Sequence, residues 1–234
     1  MDARDREESE RRRRVAPDAP SHSRASSPQG HAPEPFAPAT TGLEDVAGAL
    51  IRALWLRDAD TGAHSQRVAG YAARLCDLLG IEPRERTIIT LGALLHDVGK
   101  IGIPDSILLK PSALDSREWN EMRAHPAYGR RVLESLLDAE PVAKLIYHHH
   151  ERLDGQGYPE GLQGDEVTLS MRVVILCDAA DAMLTRRPYR EALRPDQAVA
   201  ELFRNAGSQF DADLVHLFVS MLAPDLARLQ RGAG

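Results

Sequence analysis

The chain has 234 residues, 43% hydrophobic and 27% charged, with a formal net charge of −6 at pH 7. That length suits one or two domains whose folding buries about 70% of the unfolded surface, and the acidic balance excludes global attraction to a nucleic acid polymer or an anionic membrane. Two cysteines without a CxxC, Cys76 and Cys177, read as reduced core residues of a cytoplasmic protein, and neither a signal peptide nor an apolar run of roughly 20 residues is found.

Residues 1–41 read as a disordered Pro/Ala/Ser/Arg-rich tail, with Val15 and Phe36 almost its only large apolar side chains, too few to offset ordering entropy. Its Arg11–Arg14 run reads as a solvated charge run rather than as a site for an acidic partner. From residue 42 to 234 the period is helical, and the fold expected is an all-α bundle. In "EDVAGALIRALWL", Trp55 and its neighbours suit either bundle packing or a homodimer helix. "TGAHSQRVAGYAARLCDLLG" sets Val68, Tyr71, Leu75 and Leu78 at helical spacing and stops at Gly80. "RERTIITLGALLHDVG" continues the pattern through Val98 and ends at Gly99. Asp115 and Glu118 form a capping-box pattern, Pro126 predicts a kink beside His125, and Pro141 suits the first turn of "VAKLIYHHH". "TLSMRVVILCDAADAML" runs on towards Pro188, which ends it. Two further helices, "PDQAVAELFRNAG" and "FDADLVHLFVSML", close the chain.

Chemistry concentrates in "LLHDVGK". His96 and Asp97, adjacent at a helix end, offer a nitrogen and a carboxylate to one region, which suits a divalent metal. Lys100 can neutralise a phosphate beside it. His64 and Asp60 share a helix face at four-residue spacing. His125 precedes Pro126. Asp178 lies in a helix so apolar that its carboxylate needs a partner, with Asp181 on the same face one turn later. Singly, each has a bland reading as a capped histidine or a paired core acid; together they point to one inward-facing metal cluster. The "HHHE" run adds His148, His149, His150 and Glu151.

The segments "HDVGKIGIPDSILLKP", "HHERLDGQGYPEGL", "DAADAM" and "RPYR", in this order over about residues 43–222, resemble an HD-GYP domain, a branch of the HD metal phosphohydrolases associated with cyclic di-GMP breakdown. The resemblance implies an HD-type helical bundle and a cyclic di-GMP phosphodiesterase. It would release pGpG, and GMP after a second cut, through a metal-activated hydroxide at a di- or trinuclear site. It implies that His64, His96, Asp97 and Asp178 hold one metal, with Asp97 bridging to a second held by His125, His149 and His150. Lys100 would stand beside the bound phosphate, Arg187 and Arg190 would meet the far phosphate or guanine, and Tyr158 would edge the pocket. His148 falls outside the ligand pair. Asp60 stands where members with a third metal carry Glu. Leu153 and Ala212 replace a frequent aromatic and a common proline without touching a ligand position. Histidine and carboxylate ligands suit iron or manganese. Glu151 or Asp181 is expected to orient a ligand histidine. Open alternatives are an HD-type hydrolase of another nucleotide or cyclic dinucleotide, and a silent adaptor docking a GGDEF-type cyclase through the GYP face.

Overall fold

The structure, a computed structural model, describes residues 42–185 and 192–232, with side chains as far as residue 224. The expected tail over residues 1–41, Pro188, Arg187 and Arg190 lie outside the described residues. Helices run in the order α1 (Gly42–Arg57), α2 (Ala59–Leu79), α3 (Pro83–Leu95), α4 (Asp105–Leu108), α5 (Ser116–Met122), α6 (His125–Leu133), α7 (Glu140–His148), α8 (Leu169–Leu184), α9 (Pro195–Arg204) and α10 (Ala212–Gly232). Short 3-10 turns occupy Val98–Gly102 and Gly164–Glu166. No strand forms among the described residues, which carry only isolated bridges. Among the described residues, no helix is long and apolar enough to cross a membrane.

Local chemistry sets the helix ends. Asp58 caps α2 by accepting the N–H groups of Asp60 and Thr61, and Gly80 closes it in the left-handed region at φ 64. Asp115 and Glu118 make the reciprocal capping box of α5. Two expected ends differ. α3 stops at Leu95 instead of Gly99, because Gly99 must press against α6: a Cβ there would lie 1.9 Å from His125 O and 2.4 Å from Gly129 N. α8 stops at Leu184, before Pro188. Thr185 turns extended there (φ −111, ψ 137), and its hydroxyl bonds Asp181 Oδ2 at 3.3 Å, a local side-chain bond that competes with helix continuation. The chain breaks at Arg123 and Ala124, between α5 and α6, and Pro126 occupies the first turn of α6 rather than kinking one helix.

Two apolar clusters flank the site. The larger joins α2, α8, α9 and α10 through Leu75, Met171, Leu202 and Phe218. The smaller joins α3, α6 and α7 through Leu95, Val98, Leu133 and Ile146. α1 is tied in by Arg57, whose guanidinium donates to the carbonyls of Lys100, Ile101 and Ile103 and to Asp105. Trp55 packs on α2, where a Cβ at Gly62 would lie 2.9 Å from its ring.

Candidate metal centre

Five elements deliver donors to one place. His64 comes from the first turns of α2, His96 and Asp97 from the end of α3, His125 from the start of α6, His149 and His150 from the end of α7, and Asp178 from α8. Placing ligands at helix ends leaves a histidine ring near carbonyls that no intrahelical N–H occupies. His96, His125 and His149 each donate Nδ1–H to the carbonyl three residues earlier, those of Ala93, Met122 and Ile146, all at 2.7 Å. That bond fixes the tautomer and leaves Nε2 as a lone pair facing inward.

The inward atoms gather into three groups, each with its ligand atoms within 4.8 Å of one another: His125–His149–His150, His64–His96–Asp178, and His96–Asp97–His149. The third group shares a histidine with each of the others. Asp97 bridges the same space, Oδ2 lying 3.3 Å from His96 Nε2 and Oδ1 3.3 Å from His125 Nε2.

The donor set fits a cation. His96 Nε2 is buried without a hydrogen-bond partner. His125 Nε2 and His149 Nε2, both stripped of hydrogen by their Nδ1 bonds, face each other at 3.2 Å. Two lone pairs at that distance repel unless a proton or a metal ion lies between them. Burial, outweighing the nearby Asp97 charge, pushes His125 down to about 3, and burial likewise brings His150 to about 4 and His149 well below the ordinary value. These rings stay neutral at pH 7 and available as ligands. Burial alone would raise Asp97, but Lys100, His96 and His125 hold it well below the usual carboxylate range. Burial alone would lower His64, yet bonds to Asp178 and Asp181 carry it to about 9. The carboxylates thus make positive charge, proton or metal, favourable at His64.

Behind the donors stands a second layer. Asp181 Oδ2 lies 2.7 Å from His64 Nδ1, and Arg67 holds Asp181 with bonds of 2.7 and 2.9 Å. A buried carboxylate left unpaired would cost several kcal/mol. His150 lacks a carbonyl partner among the described residues and instead stacks on Tyr158, ring centroids 4.7 Å apart at 27°. Arg123 covers Tyr158 at 5.1 Å from its centroid. Lys100 Nζ sits 2.7 Å from Asp97 Oδ2.

Two expectations need correction. Of the two acids expected to orient a histidine, Asp181 does so at His64, while Glu151 bonds no histidine among the described residues. Fully buried, it accepts the backbone N–H groups of Glu160, Gly161 and Leu162 at 2.8, 3.1 and 3.0 Å, and so folds the GYP loop back over the end of α7. Gly157 permits that fold, since a Cβ there would lie 2.5 Å from Glu151 Cα. Asp60 does not join the cluster. It is exposed in the first turn of α2 and belongs to none of the donor groups among the described residues; its charge acts on Arg67. His148 is buried and ties α7 to the same loop, Nδ1 to Lys144 O and Nε2 to Glu160 at 3.1 Å.

Beside the donors opens a cavity of about 220 Å³, walled by His149, His150 and Asp178 on one side and by Arg123, Tyr158 and Gln209 elsewhere. Sequence reasoning missed Arg123 and Gln209. Arg123 stands two residues before His125, an expected ligand, and that nearness is the one signal it offers. Gln209 lies in a turn with no comparable signal.

The HD domain family profile matches residues 48–214. The cyclic di-GMP phosphodiesterase response regulator RpfG of Xanthomonas campestris pv. campestris is 42% identical over 164 residues, 69% of this chain and 43% of that protein. A 3'3'-cGAMP-specific phosphodiesterase 2 of Vibrio cholerae is 42% identical over 172 residues, 73% of this chain and 33% of that one. The chain spans less than half the length of these curated relatives. Among solved structures, an HDG"Y"P protein from Bdellovibrio bacteriovorus aligns with a TM-score of 0.57 at 19% identity, over 77% of this chain and 62% of that one, a likeness of fold.

Proposed function

The chain belongs to the HD-domain family, in its HD-GYP branch, and from that premise we propose that it is a metal-dependent phosphodiesterase that opens cyclic di-GMP to linear pGpG. The observation that carries this reading is the sharing of donors: His96 and His149 each lie in two of the three groups, so the donors form one connected cluster instead of scattered sites, which supports a binuclear cradle. On this reading His64, His96, Asp97 and Asp178 hold one ion and His125, His149 and His150 the other, with Asp97 common to both. No cysteine joins the groups, and a histidine–carboxylate set suits iron or manganese. A third ion would have to draw in Asp60, which is exposed and outside the donor groups among the described residues.

When bound, such ions supply Lewis-acid stabilisation of a phosphoryl group and a lowered pKa for water. The chain's own residues do the rest. Asp97 and Asp178 balance the cationic charge. Lys100, beside Asp97, adds fixed positive charge where negative charge develops on phosphoryl oxygens. Asp181 and Tyr158 keep His64 and His150 from turning away. The cavity alongside accepts a base, with Arg187 and Arg190 proposed for the far phosphate or guanine on motif grounds. The free, buried Cys76 and Cys177 suit a reducing, cytoplasmic setting. A GGDEF-type partner docking on the GYP loop would meet exposed Pro159 and Glu160, and a homodimer remains part of the same proposal.

The intact donor set argues against a silent adaptor. A second substrate reading, 3'3'-cGAMP, is favoured by one specific observation, the 42% identity to a relative named for that activity. One experiment tests both. Protein loaded anaerobically with Fe²⁺, or with Mn²⁺, is incubated with each dinucleotide, and products are separated by chromatography. We expect pGpG from cyclic di-GMP, and the same assay reads any further cut to GMP. No turnover with either metal would overturn the proposal.

A further inference from the structure

Gln209 enters the cavity from the turn between α9 and α10, and it is not free to choose how its amide faces. Arg152 NH1 lies 2.8 Å from Gln209 Oε1. A guanidinium only donates hydrogen bonds, so the amide atom facing it must be the oxygen. Arg152 is itself clamped, its Nε and NH2 held by Asp154 at 2.9 and 2.6 Å. The backbone N–H of Asp154 in turn bonds Ser208 O at 2.9 Å, next door to Gln209. The loop and the turn are thus stitched together, and the Gln209 Nε2 group makes no hydrogen bond among the described residues. His150 and Asp178 line the same cavity.

We infer that Gln209 selects guanine over adenine in the cyclic dinucleotide, by turning towards the cavity the donor end of an amide whose oxygen Arg152 holds. This inference rests on the proposed phosphodiesterase reading. Guanine shows two adjacent acceptors, O6 and N7, on one edge; adenine shows N7 beside the N6 amino donor. An unrestrained glutamine satisfies adenine well, since it offers one donor and one acceptor. A glutamine whose oxygen is turned to a guanidinium keeps its amino end for the base, and it sets donor against donor at N6. Discrimination therefore resides in the Arg152–Gln209 pair rather than in the glutamine alone. A mixed dinucleotide can still enter by placing its guanine here.

The test compares kcat/KM for cyclic di-GMP and cyclic di-AMP in metal-loaded wild type, Gln209→Met, Gln209→Glu and Arg152→Met, with helical content and bound metal measured for each. The expected wild-type preference for cyclic di-GMP is on the order of tenfold or more. Gln209→Met, close in size and only partly buried, should bring the ratio towards parity. Gln209→Glu, which replaces the donor with an acceptor, should invert it. Arg152→Met, which lets the amide turn, should narrow it. A ratio unchanged within about twofold in both Gln209 variants, while they still turn over substrate, overturns this inference and leaves the phosphodiesterase reading standing. A wild type that turns over neither dinucleotide overturns that reading, and this inference with it.

Discussion

The backbone at Gly99 leaves no room for a side chain beside the carbonyl of His125: a Cβ would lie 1.9 Å from that oxygen and 2.9 Å from its carbon. Gly99 belongs to the HD turn, and His125 opens α6 and lies in a different donor group from Asp97. Gly99→Ala cannot be absorbed by a rotamer change, because the atoms it meets are backbone. We expect a loss of about 1–3 kcal/mol of stability together with weakened metal binding, read by chemical denaturation and elemental analysis. Wild-type values of both would show that the two elements can part without cost.

His96→Ala combined with Asp97→Ala should abolish turnover and lower bound metal while the helices persist. The far-ultraviolet circular dichroism checks folding and product chromatography checks activity. Undiminished pGpG release by the folded variant would remove the centre from the reaction.

How much of this could be read beforehand follows from what each residue interacts with. The expected ligands were legible because histidine and aspartate declare their chemistry, and their donor atoms do converge. Gly80 and the Asp115–Glu118 box declared helix ends through bonds to near neighbours in sequence. The break at Leu95 was hidden because Val98, beyond it, is fully buried and keeps the apolar period running. The role of Glu151 is not legible because its partners are backbone N–H groups, which carry no residue identity. The spacing of Asp60 and His64 shows a shared face but not that only the later turn is covered. Gln209 depends on a loop and a turn meeting in space.

Asp181→Asn keeps a hydrogen-bond acceptor for His64 but removes the charge that Arg67 also uses. Outer-layer changes of this kind weaken metal binding by about 10–100-fold. Titration against a competing chelator reads the affinity; an unchanged value would mean that His64 needs no such support.

Glu151→Ala strands the three N–H groups of the GYP loop. The expected cost is about 2–4 kcal/mol, with new protease sensitivity between residues 156 and 162. Loss of metal without loosening of the loop would instead assign Glu151 to the ligands.

Metal-free protein should lose stability as pH falls from about 6.5 towards 4. Burial holds His125 at about 3 and His150 at about 4, below the ordinary histidine value of 6.5, so the unfolded chain binds more protons across that window. His64, raised to about 9, acts oppositely: its contribution is complete below 6.5 and fades as pH climbs through 9. Denaturation midpoints at pH 4, 5, 6 and 7 check the first of these. A midpoint rising on acidification would mean that the rings are solvated.

Viewed as a network, the donor groups form a chain of three links, and His96 and His149 are its articulation points. An outer member such as His64, His125 or His150 can be lost with one link. On the proposed assignment each of these rings still serves a single ion, so it is Asp97, its two oxygens facing His96 and His125, whose loss would loosen both ions together. The adjacent pair in "HHH" differs only in position: His149 lies where two groups meet, and His150 lies in one.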